Sequence, residues 1–168
     1  MSHKLLYSTH WISLYEAAQE NVYVSSDNGV MVVPLTAEGE IILIREPMVY
    51  DEGKWTLYLP SGAIDAGEDA LASANRELQE EIGLSAGRLD FLGDVQAWAK
   101  YLNAHLTLYL ARDLTPSRLQ GDEAYPIVTE TVALDAFESL IAAGRLRDSS
   151  VIAALFLAQR FLAYESRA

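Results

Sequence analysis

The sequence contains no cysteine. That absence excludes disulfide staples and thiolate metal sites, and it makes a cytoplasmic location the expectation. Cations are scarce too: 12 lysines and arginines face 24 aspartates and glutamates, for a net charge of −12. A surface of that sign repels phosphate backbones, so binding of DNA or RNA along a basic stripe is not expected. An anionic small molecule is still compatible with it, provided that metal cations bridge substrate and protein. No apolar run approaches the roughly 20 residues of a membrane span, and no membrane partner is expected. The opening MSHKLLYSTHWISLYE lacks the apolar core of a signal peptide. Prolines number only 5, and the chain has no repeat, low-complexity tract or long linker. What is present is 168 residues, 51% of them hydrophobic, which suits one domain with a sizeable core.

The pattern predicts strands at Asn21–Ser26, Val30–Leu35, Glu40–Arg45, Trp55–Leu59, Phe91–Ala97, Leu106–Ala111 and Glu130–Leu134. Thr36–Gly39 predicts a hairpin loop joining the second and third of these. Helices are expected at Asp69–Glu81, stopped by Gly83, and at Asp135–Ala143, stopped by Gly144. A last helix, Val151–Tyr164, is expected to be capped by Asp148 or Ser149. Strands and helices mix without a regular βαβ alternation. The expected class is therefore α+β, with helices packed on a mixed sheet.

Residues 62–84 read GAIDAGEDALASANRELQEEIGL. At about 100° per residue, Leu71, Ala74, Leu78 and Ile82 fall within a quarter-turn and are the expected buried stripe. Glu77, Glu80 and Glu81 cluster on one face roughly a third of a turn away. Like charges at this spacing destabilise a helix by roughly 0.2–0.5 kcal/mol per pair, and Arg76 is the nearby cation. Ala70 and Ser73, one turn earlier on that face, are small and are expected to leave open room above the carboxylates. Taken alone, E-x-x-E-E also suits an ordinary acidic helix surface. The lead-in adds to it: Leu59-Pro60-Ser61-Gly62 supplies a sharp turn, Gly67 another, and Glu68 sits at the positive end of the helix. A hard divalent cation, Mg²⁺ or Mn²⁺ in its place, would relieve the repulsion and join carboxylates to substrate phosphates.

This stretch resembles the signature of the Nudix hydrolases: Gly, five residues, Glu, seven residues, Arg-Glu-apolar, one residue, Glu-Glu, one residue, Gly-apolar. Gly62, Glu68, Arg76-Glu77-Leu78, Glu80-Glu81 and Gly83-Leu84 occupy all nine defined places over 23 positions. The resemblance implies an α/β/α sandwich over residues 25–163, within one domain spanning 1–168. Residues 1–24 are then an N-terminal segment at the interface of a homodimer, with the apolar Trp11–Tyr15 taking part. It also implies Mg²⁺-dependent hydrolysis of the pyrophosphate bond of a nucleoside diphosphate linked to another group. Glu77, Glu80, Glu81 and the backbone carbonyl of Ser61 are the implied metal ligands, and Gly62, Glu68, Arg76 and Gly83 the structural members. Glu80 and Glu81 are implied to be catalytic, with Glu123, in the loop Gly121-Asp122-Glu123, as general base. Arg45, at the end of a strand, is the implied contact to substrate phosphate.

Within that family, Ile41–Glu46, Ala74–Leu78, Gln120–Glu123 and Ser150–Phe161 are most similar to bacterial members acting on ADP compounds. Those are ADP-ribose, NADH and diadenosine polyphosphates, with AMP released. Ala99 stands where ADP-ribose-preferring relatives carry a proline, which keeps GDP-mannose and other sugar nucleotides as alternatives. Met48 stands where many relatives have a second arginine. A non-catalytic nucleotide-sugar-binding domain is the reading of a different class; it predicts an eroded signature, and this one is intact. Trp55, Tyr58, Trp98 and Tyr101 are candidates for stacking on a base, for the core or for a dimer interface. His3, His10 and His105 show no metal-ligand spacing.

Overall fold

The computed structural model describes residues 3–121 and 125–167. Its strands are β1 (Lys4–Ser8), β2 (Ile12–Glu16), β3 (Val22–Ser26), β4 (Gly29–Pro34), β5 (Glu40–Pro47) and β6 (Trp55–Tyr58), followed by β7 (Ser61–Ala63), β8 (Leu84–Val95), β9 (Leu102–Asn103), β10 (Leu106–Pro116) and β11 (Thr129–Ala133). Helix α1 (Ala70–Glu77) precedes β8, while α2 (Phe137–Ala142) and α3 (Ser149–Glu165) close the chain. The strands form three sheets, ordered β1-β2-β3-β9, β7-β4-β10-β8 and β11-β5-β6. The second is mixed, because β4 and β10 run parallel while β7 and β8 are antiparallel to their neighbours.

Val30–Val33 have no solvent exposure at all, which requires cover on both faces of β4. The period-2 alternation of a strand supplies it. Val30 and Val32, with Tyr109 and Ala111 of β10, pack against Ala74 of α1 and Leu78 just after it. Met31 and Val33, with Leu108 and Leu110, pack on the other side against Leu43, Leu57, Phe137, Val151 and Leu155. Helices thus lie on both faces of the β sheets, the expected α/β/α sandwich of an α+β protein.

The structure departs from the sequence reading at several points. Val30–Leu35 and Glu40–Arg45 do not form a hairpin pair: an isolated bridge between Leu35 and Ile41 is their link. Both edges of β4 are already taken by β10 and β7, so β5 turns away and pairs with β6 and β11. Leu71 is 49% exposed and does not belong to the buried stripe, whereas Ala74 and Leu78 are fully buried and Ile82 packs beside them. The helix also runs past Glu81. Its final turn, Leu78–Ile82, is widened to a π turn that closes with Gly83 N–H donating to the Leu78 carbonyl, and Gly83 takes the left-handed conformation at φ 71°. Strand β8 begins immediately afterwards, several residues before the expected Phe91. The N-terminal hairpin β1–β2 was not anticipated. Asp148, not Ser149, caps α3, accepting from Ser150 and Val151 N–H.

Candidate active site

Asp69 starts the signature helix by accepting N–H bonds from Leu71 and Ala72, each at 2.9 Å. The π turn at its far end has a consequence for the glutamates. More residues per turn change the angle between successive side chains there, and π turns recur at functional sites. Glu77 and Glu81 both turn inward and are 7% and 6% exposed, while Glu80 is half-buried. Strand β7 runs past them. The Ser61 N–H donates to Glu81 Oε2 at 3.3 Å. Gly62 lies so close to Glu77 that a Cβ there would overlap Oε1 and Cδ of its carboxyl and reach within 2.7 Å of Oε2.

Arg76 relieves the repulsion within the protein. Its Nη1 donates to Glu77 Oε1 at 2.6 Å and to Glu80 Oε2 at 3.0 Å. Nε and Nη2 donate to the two oxygens of Glu68 at 3.2 and 3.0 Å, and Nη2 also reaches the Ala63 carbonyl and Ser73 Oγ. The hydrogen bond to Glu68, followed by the negative charge of Glu77, holds the guanidinium even more firmly protonated than usual against the opposing effect of burial. Reciprocally, Arg76 keeps the Glu68 carboxyl below the ordinary glutamate range. Arg76 thus pairs with Glu68, Glu77 and Glu80 together.

The open room expected above Ala70 and Ser73 is not there. Ser73 is fully buried, with Oγ donating to the Ala63 carbonyl at 3.2 Å, and Ala70 packs on the core beneath α1. Small side chains at these places let β7 and the Arg76 guanidinium come close. The open space lies at the other end, a cleft of about 230 Å³ lined by Glu77, Glu80, Glu81, Arg118, Gly121, Tyr125, Pro126 and Ile127. The Ser117 and Leu119 N–H groups bond to the Gly83 and Gln79 carbonyls, which ties this loop to the end of the helix. The Arg118 guanidinium lies over Gly83, where a Cβ would come within 2.7 Å of Nη2. Arg118 and Tyr125 escaped the sequence reading because neither belongs to a periodic pattern. Glu123 falls outside the described residues; Gly121 and Tyr125, on either side of it in sequence, both line the cleft. Among the described residues no three acidic or histidine side chains already stand as a metal-ligand set. Arg76 and the Ser61 N–H draw carboxylate oxygens of the helix glutamates to themselves.

Arg45 lies in a second, larger cleft of about 950 Å³, together with Glu46, Met48, Trp55, Tyr58, Arg145, Arg147 and Asp148. It forms an ion pair with Glu130 at 3.5 Å. The two clefts adjoin, since Tyr125 of the smaller donates its hydroxyl to Glu46 of the larger and meets Trp55 edge-on at 6.0 Å. Tyr58 belongs to the same partition: burial, then the charges of Asp148, Glu46 and Glu81, push its hydroxyl well above the ordinary tyrosine value. Trp98 and Tyr101 instead pack on each other in an exposed loop.

The sequence profile of the NUDIX domain matches residues 26–155. The chain is 32% identical over 148 residues to the ADP compounds hydrolase NudE of Escherichia coli, covering 88% of this chain and 78% of that protein. It is 27% identical over 139 residues to the methanol dehydrogenase activator of Bacillus methanolicus, covering 79% and 72%. A crystal structure of an ADP compounds hydrolase superposes with a TM-score of 0.85 at 28% identity, covering 100% of this chain and 95% of that one. No described helix is long and apolar enough to cross a membrane. The intact signature, the sandwich that presents it and these likenesses together make this chain a member of the Nudix family, and a pyrophosphohydrolase.

Proposed function

We propose that the chain hydrolyses the pyrophosphate bond of ADP compounds, ADP-ribose foremost, releasing AMP in a Mg²⁺-dependent reaction in which Mn²⁺ can substitute. One observation carries the reading. Two nearly buried carboxylates, Glu77 and Glu81, stand with Glu80 at the wall of a cleft, beside a glycine whose missing Cβ makes room for one of them. Oxygen-only donors of this kind fit a hard divalent cation. Glu77, Glu80, Glu81 and the Ser61 carbonyl are the residues that would hold it. When bound, such a metal neutralises pyrophosphate oxygens and lowers the pKa of a bound water.

The chain's own groups do the rest. Arg76 fixes the rotamers of Glu77 and Glu80, and Glu68 holds Arg76 in place. Arg45 and Arg118 offer cations to substrate phosphates from the two adjoining clefts. Glu123 acts as general base on the attacking water. The working protein in this reading is a single domain that forms a homodimer through its N-terminal sheet, where Leu5, Tyr7, Trp11 and Ile12 are exposed.

Incubation with ADP-ribose, NADH, a diadenosine polyphosphate and GDP-mannose, resolved by product chromatography, tests the assignment. AMP is expected from the ADP compounds with Mg²⁺ and none after chelation. Glu81→Gln should lower kcat by about 100-fold or more. Cleavage confined to GDP-mannose would transfer the assignment to sugar nucleotides, and near-wild-type turnover of Glu81→Gln at saturating Mg²⁺ would remove Glu81 from the site.

A further inference from the structure

The smaller cleft, at about 230 Å³, has room for little beyond the reacting pyrophosphate, while the larger one, at about 950 Å³, reaches the upper range of small-molecule sites. Their linings differ in sign. Three glutamates and Arg118 wall the smaller. The larger collects Arg45, Lys54, Arg145 and Arg147, a third of the 12 cations in a chain of net charge −12. Such a concentration on an acidic protein needs an account.

Glu130 holds two of the guanidiniums in place: both its oxygens accept from Arg145, at 2.8 and 2.7 Å, and it pairs with Arg45 at 3.5 Å. Arg147 is anchored at the other end of its fork, with Nε donating to the Gly144 carbonyl at 2.7 Å, and it has no ion pair among the described residues. The acidic groups lining this cleft are engaged elsewhere. Asp148 accepts the first N–H groups of α3, and Glu46 accepts from Tyr125. Anchored guanidiniums with outward N–H groups are suited to bidentate capture of a phosphate, which an ammonium or a hydroxyl matches less well. Lys54 is held by Asp51 at 2.6 Å, and a neutral sugar would draw no comparable benefit from the guanidiniums beside it.

We infer that the larger cleft is a subsite for a phosphate that the substrate carries outside the bond being cut, held by Arg145 and Arg147 with Lys54 beside them. The inference rests on the hydrolase reading, because the two clefts meet at the Glu46–Tyr125 contact and one extended substrate would span both. It separates substrates by charge: those with an additional phosphate engage Arg145 and Arg147, and those with only the scissile pyrophosphate do not.

Calorimetric titration of the full chain with inorganic triphosphate, without divalent metal, probes the cleft apart from the chemistry. Arg147→Ala and Arg145→Ala should each weaken this binding by about tenfold, while Arg160→Ala, on α3 and outside both clefts, should not. In the hydrolysis assay the same two substitutions should lower kcat/KM for diadenosine triphosphate by about tenfold relative to ADP-ribose. Unchanged triphosphate binding in both variants, or an equal loss for the two substrates, would overturn the subsite. Arginine-dependent triphosphate binding without hydrolysis of any nucleotide would sustain the subsite while removing the proposed activity.

Discussion

Gly62→Ala isolates the contact between β7 and the signature helix. The backbone at Gly62 is not in the left-handed region, so alanine meets no conformational penalty, and any effect comes from its Cβ. That atom would fall on the Glu77 carboxyl, which is 7% exposed and donor-bound to Arg76 at 2.6 Å. The carboxylate has to swing away, which breaks the Arg76–Glu77 bond, or the strand has to shift, which breaks the bond from Arg76 to the Ala63 carbonyl. A hydrogen bond between charged partners contributes about 1.5–3 kcal/mol. At about 2–4 °C per kcal/mol for a chain of this size, the melting temperature should fall by about 3–12 °C. Displacing by about 1 Å a carboxylate proposed to hold the metal should cost about 100-fold in kcat/KM. Thermal unfolding and steady-state hydrolysis of ADP-ribose measure the two effects. The double variant Gly62→Ala/Glu77→Ala supplies the control, since with no carboxylate to strike, the added methyl should change stability by less than about 0.5 kcal/mol relative to Glu77→Ala alone. A melting temperature within 1 °C of wild type (roughly 0.5 kcal/mol or less) in Gly62→Ala, with activity intact, would refute the steric argument.

Three further outcomes are expected. Arg76→Lys should destabilise by about 3 kcal/mol, because an ammonium cannot reach Glu68, Glu77 and Glu80 together; equal denaturant midpoints for the two proteins would show that the hub adds nothing to stability. Stability should fall on acidification. Glu68 is held low by Arg76 and Glu165 by Arg112, so their contributions are complete above the ordinary glutamate value near about 4.3 and are lost as pH drops through the depressed folded values. Melting temperatures that stay constant from neutral pH down through that range would contradict those shifts. Glu123→Gln should depress kcat and alter the acidic limb of the pH–rate profile with little change in Mg²⁺ dependence, and an unaltered profile would return the base to the helix glutamates.

The sequence by itself determined the elements whose signal is local. The 3.6-residue period and the Gly83 stop placed the signature helix to within a turn, and the apolar runs located the strands of the central sandwich. The spacing of Arg76, Glu77, Glu80 and Glu81 put four charges on one helix, and the structure joins Arg76 to Glu77 and Glu80 by ion pairs. The hairpin β1–β2 carried no such signal, because β1 is exposed along its whole length and has no buried face to impose a period. Leu71 misled for a related reason: a helical stripe is buried only where another element covers it, and none of the described elements covers that side of α1.

What only the tertiary structure decided is which distant groups meet. Strand order is a long-range choice, so nothing in two adjacent apolar runs revealed that β4 and β5 enter different sheets. Glu68 reaches Arg76 through the course of the loop before α1, and Tyr125 reaches Glu46 across 79 residues. The larger cleft draws its cations from β5, the loop before β6 and the turn between α2 and α3. Separately each reads as a solvated surface charge. Packing of the last helix against the sandwich turns them into one site.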